Sequence, residues 1–187
     1  MRYKTQSLKK YLDDLSAKVA TPGGGSAAAM NAAMAASLIS MVVNFTLGKE
    51  KYVQYQAELK IVLAKSERLR SDFLDLVDLD VLAYQSRDLR KAVDVPFVLA
   101  RLTLQAARLC PLLIKKGNLN LISDVGVAAV MLESVFLSAC FNVEINLKSL
   151  QDKELSKKIN KELHQISKEI LKIRKDTEVA VGKIIRG

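Results

Sequence analysis

The sequence predicts an all-α protein, an up-and-down helical bundle of about six helices. Two observations carry that reading: apolar residues recur every three or four positions along most of the 187 residues, and strand-like alternation is nowhere sustained. The connections are also short, as antiparallel helix neighbours require. With 50% hydrophobic residues the chain has material for one domain, spanning 1–187, whose core needs neither disulfide nor metal.

A short first helix is expected over 8–18, with Leu8, Tyr11, Leu12 and Leu15 on one side. The second, over 26–47, is charge-free, rich in alanine and ended by Gly48. It is long enough to cross a bilayer, but alanine, serine, Asn31 and Asn44 dilute its hydrophobicity, and no second obvious span accompanies it. Small side chains let neighbours approach closely, so it is read as a buried central helix or an oligomer seam. Residues 51–91 form a long periodic segment whose stripe includes Leu59, Val62, Leu69, Phe73, Val77 and Tyr84. Asp94 and Pro96 are expected to start the next helix, Pro111 to kink its far end and Gly117 to close it. Ser123 opens a helix reaching about Ser149. The tail places Leu155, Ile159, Leu163, Ile166, Ile170 and Ile173 on one face of a last amphipathic helix.

The net charge of +9 raises nucleic-acid binding, but the charge is local. Residues 151–187 hold ten Lys or Arg against six acids, on the solvated side of an amphipathic helix. No aromatic platform interleaves with the lysines and no helix-turn-helix or zinc-finger pattern appears, so nucleic acid is not the expected partner. Cys110 and Cys140 lie in apolar runs and suit core thiols of a reducing cytosol. His164 is the only histidine, so no metal is expected. The amino end lacks the apolar core of a signal peptide, and no membrane association is anticipated; a cytoplasmic protein is the expectation.

Three features point to chemistry. Gly23, Gly24 and Gly25 precede a helix that Ser26 can cap, so main-chain N–H groups can converge on an anion or a flat polar ring. The lysine of a nucleotide P-loop is missing, and a tight turn between helices is the plain structural alternative. Asp80 shares a helical face with Phe73, Val77 and Tyr84, where a carboxylate must be paired, hydrogen-bonded or protonated. It is a candidate general acid, or else a structural acid bonded to a helix end or a lysine. Asp124 and Asn142 are eighteen residues apart on one face, with Asn146 a turn beyond, yet about 27 Å separates the first two along a straight helix. A two-fold axis near Ser134 would set Asp124 of one subunit opposite Asn142 and Asn146 of the other, giving a shared site. The alternative is that Asp124 complements the helix dipole and the asparagines tie helices together.

The runs Thr21-Pro22-Gly23-Gly24-Gly25-Ser26, Gly48-Lys49, Gly117-Asn118-Leu119-Asn120, Ser123-Asp124 and Asn142-Val143-Glu144-Ile145-Asn146-Leu147-Lys148 together resemble the formiminotransferase-cyclodeaminase C-terminal family. That family includes formimidoyltetrahydrofolate cyclodeaminases and methenyltetrahydrofolate cyclohydrolases. The resemblance implies a homodimer that binds reduced folate in a cleft, with no metal or organic cofactor. It implies Asp124 as first and Asp80 as second candidate for the acid–base group. Asn118, Asn142 and Asn146 would orient the substrate, Lys148 would offset charge or hold the tail, and Gly23 to Ser26 would supply backbone donors. Lys49, with Lys51, Lys115 and Lys116, would meet the glutamate tail of folate. Cyclohydrolase is preferred, because no formiminotransferase half accompanies the chain. One departure from the family is the short passage Gln85-Ser86-Arg87-Asp88-Leu89-Arg90, where relatives carry a longer stretch. A catalytically silent helical dimer that binds an acidic partner or nucleic acid is the competing reading.

Overall fold

The computed structural model describes residues 2–187. Among them there is no strand and there are seven α-helices: α1 (Leu8–Ser16), α2 (Gly24–Asn44), α3 (Gln56–Ser86), α4 (Leu89–Ala107), α5 (Cys110–Lys116), α6 (Ile122–Leu150) and α7 (Lys153–Arg186). Short 3-10 turns, Tyr3–Thr5, Glu50–Tyr55 and Leu119–Leu121, lie between or before them. The extra helix relative to the expected six arises at Pro111. Proline at the first turn of α5 cannot donate back to Ala107, so α4 ends there and α5 restarts after a break.

Two connections are built alike. Arg87, at φ 56°, and Gln151, at φ 58°, each close a helix in the left-handed conformation. Each is followed by an aspartate that opens the next helix. Asp88 Oδ1 accepts from the N–H groups of Arg90 (3.0 Å) and Lys91 (3.2 Å), and Asp152 Oδ1 from that of Leu155 (2.9 Å). The helix expected to start at Asp94 and Pro96 therefore begins five residues earlier, at Leu89, and Pro96 lies in its interior. An interior proline leaves the carbonyl four residues back without its N–H donor. That carbonyl is Ala92 O, and Asn146 of α6 supplies the missing bond from Nδ2 at 2.6 Å.

One continuous core runs through the bundle. On α2, Ala28, Ala29, Ala32, Ala33, Ala35 and Ala36 are buried against α3 and α6, the close approach that small side chains allow. The Ser40 and Ser66 hydroxyls meet at 2.8 Å across the α2–α3 seam. α7 is held to α4 by two bidentate pairs two turns apart, Arg101–Glu162 and Arg108–Glu169. The expectation of a single span-like segment is corrected. Among the described residues three helical stretches are long and apolar enough to cross a membrane: Gly24–Asn44, Leu89–Lys116 and Leu119–Leu150. Asp124, Glu133, Glu144 and Lys148 interrupt the last in sequence and disguise it. α2 spends its apolarity inside the bundle, whereas α6 leaves Val127, Val130, Leu137, Phe141 and Ile145 exposed.

Candidate active site

The glycine turn and the Asp80 carboxylate form one unit. Gly23 is the N-cap residue of α2 and Ser26 is its third helical residue, so Ser26 is not the cap expected from sequence. Its hydroxyl is fully buried instead, accepting from Tyr11 OH (3.1 Å) and donating to Val77 O (3.0 Å). The cap comes from another helix: the Ser26 N–H donates to Asp80 Oδ2 at 2.9 Å. A carboxylate suits the positive end of α2, and it satisfies one of the N–H groups that a helix start leaves without a partner. Asp80 approaches so closely because Gly25 has no side chain. A Cβ there would overlap Oδ1 and lie 2.7 Å from Cγ.

Burial raises the Asp80 pKa above the usual carboxylate value, and the bond from Ser26 opposes that rise without cancelling it. Burial also raises the Tyr11 phenol, opposed by its bond to Ser26 and reinforced by the Asp80 charge. Tyr11 therefore stays a neutral donor.

Asp80 opens onto a cleft of about 220 Å³ lined by Ala20, Thr21, Gly23, Gly24, Gly25, Ala83, Tyr84, Ala92, Asn142 and Asn146. The small residues make room, and the polar ones converge. Asn142 Nδ2 donates to Ser138 O (2.8 Å) and Asn146 Nδ2 to Ala92 O, which leaves each amide oxygen free as an acceptor. Asp80 Oδ1 likewise has no partner among the described residues, and the N–H groups of Gly24 and Gly25 are the remaining donors of the α2 start. The cleft is thus lined by the backbone donors of the α2 start, by the Asp80 carboxylate beside them and by two asparagine amides, a set suited to a planar polar ring.

Of the residues singled out from sequence, Gly23, Gly24, Gly25, Asp80, Asn142 and Asn146 come together here, with Ser26 behind them. The others lie elsewhere on the protomer. Asp124 sits in the first turn of α6, the far end of that helix from Asn142. Asn118 is buried where α2 ends: its N–H donates to Thr46 Oγ1 (2.9 Å), its amide to Phe45 O (3.2 Å), and its Oδ1 caps the turn at Asn120. Lys49 precedes the 3-10 turn near the same end, with Lys51 over Tyr52, while Lys116 pairs with Glu58. Lys115 is exposed in the last turn of α5. Lys148 belongs to a separate groove with Gln151, Lys153 and Lys157 at the α6–α7 turn. Sequence reading missed the Tyr11 hydroxyl, which looked like part of an apolar stripe, and Asp78. Asp78 is buried and accepts from the Tyr3 N–H at 2.6 Å, pinning the amino-terminal turn beside the site.

The formiminotransferase-cyclodeaminase family model matches residues 7–87 and 85–165. The chain belongs to that family. It is 37% identical to the methenyltetrahydrofolate cyclohydrolase of Methylorubrum extorquens over 181 aligned residues, covering 84% of this chain and 87% of the relative. It is 30% identical to the formimidoyltransferase-cyclodeaminase of Rattus norvegicus, covering 95% of this chain but only 37% of that longer protein. The crystal structure of formiminotetrahydrofolate cyclodeaminase from Thermotoga maritima superposes with a TM-score of 0.93 at 29% identity, over 97% of this chain and 98% of that one. The two family matches meet at the Arg87 turn, where the passage 85–90 is short.

Proposed function

We propose that the protein is a folate one-carbon enzyme that hydrolyses 5,10-methenyltetrahydrofolate to 10-formyltetrahydrofolate, with Asp80 as the proton carrier. The observation that carries this reading is the Asp80 carboxylate itself. One oxygen is fixed by the Ser26 N–H, the other is free in a cleft of ring-binding size, and its pKa is raised. The similarity to the Methylorubrum extorquens cyclohydrolase supports the substrate.

The bridge carbon of the substrate is a cation shared between two nitrogens. The Asp80 carboxylate lowers the energy of water attacking that carbon by taking the proton water sheds. The tetrahedral carbon that results holds a hydroxyl and both nitrogens. Asp80 returns its proton to N5 as the bond from N5 to carbon breaks, the hydroxyl proton leaves to solvent, and the formyl group stays on N10. The Asn142 and Asn146 oxygens accept from the N–H groups of the pterin, and the Gly24 and Gly25 amides donate to its carbonyl.

Ammonia release from the 5-formimino substrate is the second reading, favoured by the TM-score of 0.93 to a cyclodeaminase chain matched over 98% of its length. With that match, length no longer separates the two activities. The same acid serves both, since the leaving nitrogen also needs a proton.

The exposed stripe Val127, Val130, Leu137, Phe141 and Ile145 on α6 supports a homodimer through that helix, with Ser134 exposed at its centre. Antiparallel pairing there carries Asp124 and the neighbouring Asn118 turn of one copy toward Asn142 and Asn146 of the other. Asp124 then faces the cleft of its partner and completes it.

Loss of the near-ultraviolet methenyl band, followed beside ammonia release from the formimino form, tests the proposal. Purified protein that accelerates neither reaction over buffer would overturn it in favour of a silent binding module. An Asp80→Asn variant as active as wild type, with Asp124→Asn inactive, would move the proton-carrying role to Asp124.

A further inference from the structure

The inner cleft is too small for a whole folate. At about 220 Å³ it falls below the about 300–1,000 Å³ of sites that enclose a drug-sized ligand. It does not end there. Ala20, Ala83, Tyr84, Ala92 and Asn146 line both this cleft and an outer arm of about 610 Å³, which continues past Gln85, Arg87, Asp88 and Leu89. The arm follows the α3–α4 turn, where the passage is short and the family match breaks.

Two side chains give this arm its character. Tyr84 is 62% exposed and presents an aromatic face at the junction with the inner cleft. Arg87 has no ion-pair partner among the described residues, although Arg90 and Lys91, just beyond it in the first turn of α4, are both paired. The acid beside it does not neutralise it. Asp88 is occupied as the α4 cap, accepting from two backbone N–H groups with Lys91 Nζ at 3.6 Å. Arg87 also holds φ 56°, a conformation that disfavours side chains other than Gly, Asn and Asp. Stability alone would place glycine at that position.

We infer that the outer arm holds the benzoyl-glutamate half of the substrate, with Tyr84 against its ring and Arg87 recognising its carboxylates; this rests on the folate reading above. A guanidinium grips a carboxylate through two parallel N–H bonds, which a lone lysine cannot reproduce. The assignment moves tail recognition from Lys49, Lys51, Lys115 and Lys116, all beyond the far end of α2, to the turn that adjoins Asp80.

The test compares 5,10-methenyltetrahydrofolate with the matching methenyl pteroate that lacks glutamate. Arg87→Ala is expected to raise KM for the glutamate form about tenfold, the loss of one charge-assisted contact at an exposed site, with kcat unchanged. KM for the tail-less form should stay at its wild-type value. Arg87→Lys should recover part of the affinity, and Arg87→Gly, which suits φ 56°, should show the same selective loss in a protein at least as stable. Equal KM changes for both substrates, or none, would overturn the assignment while leaving the folate reading standing. A wild-type protein that turns over neither substrate would take both down together.

Discussion

Gly25→Ala separates the geometry of the site from the stability of the fold. The new Cβ would overlap Asp80 Oδ1 and come within 2.7 Å of Cγ, so the carboxylate must rotate away. Its short side chain leaves only rotation about χ1 or χ2, and either carries Oδ2 off the Ser26 N–H. Loss of a hydrogen bond to a charged acceptor costs about 1.5–3 kcal/mol. Alanine in place of glycine in a helix returns about 1 kcal/mol, leaving a deficit of about 0.5–2 kcal/mol. For a domain of this size that is a fall in Tm of about 1–8 °C. Catalysis loses far more, because a displaced general base forfeits about 10²–10⁴ in rate. The assay is a thermal melt beside the decay of the methenyl band for the same preparation. A folded Gly25→Ala protein with wild-type kcat would refute the claim that the gap left by glycine holds Asp80 in place.

Asp80→Asn should behave in the opposite sense on stability. A raised carboxylate pKa means that the folded state prefers the protonated form. Asp80 therefore favours folding below its ordinary pKa of about 3.9, and that contribution is lost as pH rises through the raised folded value. Asparagine keeps the acceptor for Ser26 without the charge, so at neutral pH its Tm should equal or exceed wild type while turnover is lost; a large fall in Tm would contradict this. The wild-type rate should drop on the acid side at a pH above the ordinary aspartate pKa, read from kcat/KM against pH, and a limb at or below that ordinary value, about 3.9, would remove Asp80 as base. Asn146→Ala strands Ala92 O and should cost about 1–3 kcal/mol, whereas the same change in a Pro96→Ala background should cost less, because the helix then supplies the donor. Chemical denaturation of the four proteins measures that coupling. Mixing Asp124→Asn with Asn142→Ala subunits should restore activity at one of the two sites of a mixed dimer, and no recovery after verified exchange would argue against a shared cleft.

Helical periodicity made the bundle legible, and the alanine run marked α2 as interior, because both depend on spacing and side-chain size alone. Boundaries failed where a tertiary bond replaced a local one. Pro96 resembled a helix start because nothing near it in sequence can satisfy Ala92 O; the donor, Asn146, is 54 residues away. Ser26 looked like an N-cap for the same reason, since the actual cap, Asp80, comes from another helix. Asp80 was readable as a carboxylate in apolar company with a helix end as one expected partner, but which helix it caps and its gap opposite Gly25 were not. The Tyr11 hydroxyl was invisible because one amphipathic turn looks alike whether the tyrosine ends in the core or against a serine.

The two asparagines show why the site lies where it does. Pro96 breaks one bond in α4, and the cheapest repair is a side-chain amide from the helix packed against it. That repair fixes Asn146 by its nitrogen and leaves its oxygen free, one turn from Asn142, whose nitrogen is tied to its own helix. Both asparagines then line the cleft that the α2 start and Asp80 also line. A backbone defect in α4 thus serves as a positioning device for a recognition group on α6. The arrangement predicts that Pro96→Ala, though remote from the reacting carbon, loosens Asn146 and raises KM with little change in kcat. A raised KM accompanied by an equal fall in kcat would instead show that Pro96 shapes the acid as well.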